Sequence, residues 1–78
     1  MANHFYMARY SDTNNGHKTV KIISSTKMGH INATSWITKA KTAVPHAHPN
    51  LVFTSAGIAN PGETPDFVYD GREPVKLK

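Results

Sequence analysis

The chain has 78 residues, no cysteine and a formal net charge of +4. This length fits one small domain, 1–78, and the absence of thiols excludes disulfide bonds, cysteine nucleophiles and thiolate zinc sites. No apolar run approaches the roughly 20 residues of a transmembrane helix, and the first residues lack the pattern of a signal peptide. We therefore expect a soluble, cytoplasmic protein without membrane contact.

The first part of the chain predicts a β-hairpin. Aromatic and β-branched residues alternate with other residues over His4–Tyr10 and again over Lys18–Ser25, which predicts two strands. The segment between them contains Asn15–Gly16, a pair that is favoured in hairpin turns. We expect the two strands to pair in antiparallel orientation.

The next segment, Ile31–Pro45, predicts the helix of the fold. We expect Asn32 to cap its N-terminus and Pro45 to end it. Ile31 is expected to pack on Trp36 as a hydrophobic staple. Apolar residues recur at helical spacing and predict one buried face. That face consists of Ala33, Trp36, Ile37, Ala40 and Val44.

Two further strands are predicted after the helix, at Leu51–Ala56 and Phe67–Tyr69, with the loop Gly57–Pro65 between them. The tail 72–78 alternates weakly and contains a proline, so we expect it to be an edge strand or frayed. The element order ββαββ predicts a single α+β domain of two layers, in which one amphipathic helix packs on one face of an antiparallel sheet.

A single helix covers only one face of such a sheet, so the second face is the first candidate for a binding surface. We expect some of its apolar residues to come from Tyr6, Tyr10, Ile23, Val52 and Val68.

The charge is distributed unevenly along the chain. Asp12 is the only acidic residue before residue 60, whereas basic residues occur throughout that part. A basic surface with aromatic side chains is typical of sheets that bind single-stranded nucleic acid. It also suits an acidic protein surface. The predicted binding residues are Tyr6, Arg9, Tyr10, Lys18, Lys21, Lys39, Lys41, His46 and His48.

The segment Pro45–Pro49 places His46 and His48 two residues apart, with their imidazoles on one side of an extended backbone. A metal site needs at least one more ligand, and no other residue has a spacing that predicts convergence on this pair. We predict no metal and no cofactor. Imidazoles titrate near neutrality, so this pair is also expected to strengthen binding to an anionic partner as the pH falls.

No pattern of catalytic residues is evident. The serines that we considered, Ser24, Ser25, Ser35 and Ser55, lack the local sequence of an activated nucleophile, and the glycines do not form a phosphate-binding loop. We therefore expect a protein that is not an enzyme.

The function that remains is binding. We expect a stoichiometric protein-binding module, acting on a larger host protein or nucleoprotein complex, as a monomer or a homodimer. Small phage and mobile-element inhibitors of host systems, such as anti-CRISPR proteins, have this size and architecture. The alternative is a single-stranded nucleic-acid-binding domain that uses a basic, aromatic sheet face.

Overall fold

The computed structural model describes residues 3–71 and 74–76. It contains five strands, one α-helix and a short 3-10 turn at Thr13–Asn15. The elements are β1 (Tyr6–Asp12), β2 (Lys18–Ser24), α1 (His30–Ala47), β3 (Leu51–Ile58), β4 (Phe67–Tyr69) and β5 (Pro74–Lys76).

The structure confirms a small α+β fold in which one helix packs against a sheet. The strand order is β3-β1-β2-β4-β5. β1 pairs antiparallel with β2 and with β3, and β5 pairs antiparallel with β4, but β4 runs parallel to β2. The expectation of an antiparallel sheet is therefore wrong for β4, because this strand joins the sheet beside β2 and not beside β3.

The predicted order ββαββ is also incomplete. Residues 74–76 form the short edge strand β5, so the order is ββαβββ, and the positions 72–73 and 77–78 of the predicted tail lie outside the described residues. Since β3 and β4 lie on opposite sides of the β1–β2 pair, the connection 59–66 must cross the sheet. The third and fourth strands are thus not a hairpin.

The predicted hairpin of β1 and β2 is confirmed, with a register that runs from Met7 opposite Ile23 to Asp12 opposite Lys18. Its turn is wider than an Asn-Gly turn of two residues. The 3-10 turn precedes Gly16, which has φ 62°, the left-handed conformation that glycine adopts readily.

The helix is longer than predicted at both ends. It is preceded by Gly29 as N-cap, so Asn32 lies inside the first turn, and Ile31 is 82% exposed and forms no staple. Pro45 lies inside the last turn and does not end the helix, since the φ of proline suits a helix and only one backbone bond is lost. Among the described residues, no helix has the apolar length that a bilayer crossing requires.

The predicted buried face of the helix is confirmed, although Ile37 is only partly buried. It packs on the alternate residues of the sheet that face α1. The core shared by the two layers consists of Trp36, Ala40 and Val44 from α1 with Ala8, Tyr10, Val20, Ile22, Leu51 and Tyr69 from the strands.

The second face of the sheet is covered by the connection 59–66. Arg9 and Lys21 alternate with core residues along β1 and β2, so their side chains lie on the face opposite α1. Both contact Glu63 from the connection. Met7, on the same face, is fully buried. The expectation of an open second face is therefore wrong where this connection crosses.

Candidate functional site

The outer edge of β3 is the most distinctive surface of the described structure. β3 pairs with β1 on one side, and no other described strand pairs with its other side. Its eight residues include no charged residue and no proline, the two residue types with which proteins usually protect an edge. Val52 and Ile58 are each 50% exposed. β3 is therefore a long edge strand without a charged residue or a proline.

The hydrogen bonds at the end of β3 show which backbone groups point outward. Ala59 N–H donates to the carbonyl of Phe5 at 2.9 Å, just beyond the pair Tyr6–Ile58. In an antiparallel ladder, hydrogen-bonded pairs alternate with pairs that are not bonded to each other. The pair Tyr6–Ile58 is of the second kind, so the N–H and C=O groups of Ile58 point away from β1. Ile58 and, two residues earlier, Ala56 thus present their backbone groups to the free edge.

The start of β3 has the same arrangement. Thr13 N–H donates to the carbonyl of Asn50 at 2.8 Å, just beyond the pair Asp12–Leu51. By the same alternation, Phe53 presents its N–H and C=O groups outward, whereas the N–H of Leu51 already donates to the carbonyl of His48 at 2.9 Å. Both halves of the strand therefore offer donors and acceptors to a further strand.

A β-bulge separates these two halves. The register shifts between Arg9 and Tyr10, which leaves Thr54 as the extra residue on β3. The hydroxyl of Thr54 donates to the carbonyl of Arg9 at 2.9 Å, which ties the bulge to β1. The bulge bends the edge without ending the pairing of β3 with β1.

Apolar side chains of β3 lie beside this edge on the side that faces α1. Phe53 and Ala56 are partly buried against the core, and Ile58 is on the same side of the strand. Ile37 and Lys41, four residues apart on α1, share one flank of the helix. The Nζ atom of Lys41 lies 5.4 Å from the centroid of the Phe53 ring, so this flank borders the β3 edge.

The aromatic residues of the predicted binding surface do not lie on an exposed surface. Tyr10 is fully buried in the core and its hydroxyl donates to the carbonyl of Ala40 at 2.6 Å. Tyr6 is half-buried at the rim of the core, and its N–H donates to the hydroxyl of Ser24 at 3.0 Å. The expectation of Tyr10 as a binding residue is wrong, because its ring faces α1.

Two of the predicted basic residues are engaged in ion pairs. Arg9 forms two hydrogen bonds with the carboxylate of Glu63, and Lys21 Nζ lies 3.3 Å from the same carboxylate. The hydrogen bonds from Arg9 are the main reason that the pKa of Glu63 is lowered to about 2, with smaller effects from Asn60 and Lys21 and an opposing effect of burial. This carboxylate offsets much of the positive charge of the second face.

The two lysines of the helix do not share a surface. Lys41 lies over Phe53 on β3, whereas the Nζ atom of Lys39 lies beside Gly71, after β4. Since β3 and β4 are on opposite sides of the central hairpin, the two side chains are on opposite flanks of α1.

The turn between β1 and β2 and the connection between α1 and β3 are joined at one end of the molecule. The hydroxyl of Thr13 donates to the carbonyl of Asn50 at 3.1 Å, and the amide of Asn50 donates to Asp12 at 2.9 Å. The same Asp12 oxygen accepts from Asn14 N–H. These bonds hold the two segments side by side.

This junction brings together three of the predicted binding residues. Lys18 follows the hairpin turn, and His46 and His48 come from the end of α1, all of them exposed. His17, which directly precedes Lys18, belongs to the same end. In the described part of the chain, no group of three potential ligands is close enough to hold a metal ion. The junction is therefore flanked by exposed basic side chains that do not form a metal site among the described residues.

The structure also brings together a serine and a histidine, Ser11 and His17, that the sequence pattern does not predict as a pair. The hydroxyl of Ser11 lies 3.0 Å from Nδ1 of His17, which has a left-handed φ of 62°. The pair is exposed, and no described side chain bonds to the other ring nitrogen to orient the imidazole as a general base. The contact stabilises the unusual conformation of the turn. In the sequence, Ser11 and His17 stand at the two ends of the segment that joins the predicted strands.

No family model, no curated protein and no solved structure matches this chain. The functional interpretation therefore depends on the residues and their arrangement.

Proposed function

We propose that this protein is a non-enzymatic protein-binding module that adds an extended segment of a larger protein to the free edge of β3. The observation that supports this proposal is the outward backbone of an eight-residue strand without charge or proline. In strand addition the main-chain hydrogen bonds supply affinity, and the side chains beside the edge supply specificity.

The edge is already in the conformation that such a complex requires. Ala56 and Ile58 are held in the sheet by the bonds of their neighbours to β1, so their free N–H and C=O groups are fixed in position. A preformed edge reduces the ordering cost of binding to that of the partner segment. The side chains of Phe53, Ala56 and Ile58 beside the edge add apolar contact.

The narrower part of the proposal concerns the biological role. A module of this size acts by occupying a surface of a larger assembly, and a phage or mobile-element inhibitor of a host system, similar to anti-CRISPR proteins, is such a module. The support for this part is the length of the chain and its architecture.

The test is an affinity purification with three variants of the tagged protein from nuclease-treated bacterial lysate. Ala56→Pro removes an outward N–H, which proline tolerates at an edge because no bond to β1 is lost. Ile58→Asn removes apolar contact at the edge, and Ile31→Asn makes the same change at an exposed site on the helix. An NMR spectrum of each variant confirms the fold.

The proposal predicts a discrete protein that is retained by the wild type and by Ile31→Asn in a fixed ratio, and is lost with Ala56→Pro and weakened with Ile58→Asn. Equal retention by all four proteins would place the binding surface elsewhere. Retention of proteins only in a parallel lysate without nuclease treatment would favour nucleic acid instead.

A second candidate function, binding of single-stranded nucleic acid, is supported by the basic junction and not by a sheet face. Lys18, His17, His46 and His48 lie at one end of the molecule, and the nearby Asp12 is already bonded to amide groups. This function predicts oligonucleotide binding that weakens with salt. Lys18→Gln should lower the salt slope by about 0.7, the value for one phosphate contact on a single strand, whereas Lys27→Gln should not.

A further inference from the structure

We infer that the segment bound by β3 carries an acidic residue on its side facing α1, with apolar residues on the same side. This inference depends on the proposed function, since it names the chemistry of the strand that the edge accepts. The ammonium group of Lys41 is the feature that selects an acidic side chain in the bound segment.

Lys41 is placed where an added strand would lie. Its Nζ atom is 5.4 Å from the ring centroid of Phe53, a residue whose backbone groups point to the free edge. A further strand would run about 4.8 Å from β3. The side chain opposite Phe53 on that strand therefore comes within reach of the Lys41 ammonium group.

The charge of Lys41 has no acidic counterpart in the described part of the chain. Glu63, which pairs with Arg9 and Lys21, lies on the other face of the sheet. A carboxylate from the partner would provide the missing counterion at a site shielded on one side by α1 and Phe53.

A second copy of this chain is a poor occupant of the edge. Neither α1 nor β3 contains an aspartate or a glutamate, so a symmetric β3–β3 pair would bring no carboxylate from either element to Lys41. A segment of an unrelated protein can supply the carboxylate that a symmetric β3–β3 pair lacks. The other helix-side positions of the segment face Ile37 and Ile58 and are therefore apolar.

The experiment is selection from a displayed library of random peptides, about eight residues in length to match β3. Selection is carried out on the wild type, on Lys41→Glu and on Lys27→Glu. Lys27 is a matched control because its Nζ atom lies 5.8 Å from the centroid of an aromatic ring, that of Phe5.

The wild type and Lys27→Glu should enrich peptides with Asp or Glu at one position and apolar residues two positions away. Lys41→Glu should enrich Lys or Arg at that position, and it should bind an acidic peptide selected on the wild type about fivefold more weakly. Selected peptides without an acidic preference, or with one that Lys41→Glu leaves unchanged, would overturn the inference while the proposed function stands.

The failure of the proposed function has a different signature. It would appear as selected peptides that bind Ala56→Pro as tightly as the wild type, or as no enrichment at all. Self-association that is abolished by Ala56→Pro, measured by analytical ultracentrifugation, would show a second copy at the edge and would overturn the inference as well.

Discussion

The indole N–H of Trp36 donates to the backbone carbonyl of Tyr69 at 2.9 Å, and the two rings lie 6.2 Å apart in the core. This pair joins α1 to β4, the strand that reaches the sheet through the long connection 59–66. The helix is thereby anchored over β4, while Lys41 on its other flank borders the edge of β3.

The first prediction concerns this anchor. Trp36→Ala should lower the free energy of unfolding by about 3–5 kcal/mol, because a large buried side chain is replaced by a cavity. Trp36→Phe keeps a ring but leaves the buried carbonyl of Tyr69 without its donor, and should cost about 2 kcal/mol. Urea unfolding measures both values. A Trp36→Ala variant as stable as the wild type would contradict the described core.

The second prediction separates a core residue from a binding residue. Tyr10→Phe should destabilise the fold by about 1 kcal/mol, because the hydrogen bond to the carbonyl of Ala40 is lost. It should leave the affinity for a β3 ligand unchanged, since the hydroxyl is buried under α1. Thermal unfolding and a titration with a selected peptide test the two parts. Weaker binding by a stably folded variant would contradict this assignment.

The third prediction concerns acid stability. The pKa of Glu63 is lowered from 4.5 to about 2, so the ionised form stabilises the fold above about pH 4.5, and this contribution is lost as the pH falls toward 2. Glu63→Gln should therefore be less stable than the wild type at neutral pH, with a difference that shrinks through this window. Urea unfolding across the pH range measures the difference. The exposed neighbour substitution Thr64→Ala is the control, and a difference independent of pH would contradict the prediction.

Much of the fold follows from local patterns in the sequence. The alternation in β2 and the helical spacing of Ala33, Trp36, Ala40 and Val44 each predict a correct buried face, because these patterns reflect contact with one core. In β1 the alternation is correct but its faces are exchanged, since Tyr10 faces α1. The helix ends are less well predicted, since Pro45 is compatible with a last turn and Gly29 caps the helix without a side chain.

The position of β4 could not be predicted from the sequence. Nothing in residues 59–66 shows whether the next strand pairs with β3 or crosses to β2, since this depends on long-range contacts such as that of Glu63 with Arg9. Glu63 also pairs with Lys21, so one carboxylate engages two predicted binding residues. The free edge of β3 could not be predicted either, because the position of a strand at an edge depends on which other strands pair with it.

The most direct test of the central claim is amide hydrogen exchange of the free protein, followed by NMR at two protein concentrations. The N–H of Ala59 donates to Phe5 just before β1, and by alternation that of Gly57 bonds to β1, whereas the N–H groups of Ala56 and Ile58 point outward. We predict strong protection at Gly57 and Ala59 and little at Ala56 and Ile58, at both concentrations. Equal protection at all four amides would show that the edge of β3 is already paired and would contradict the account.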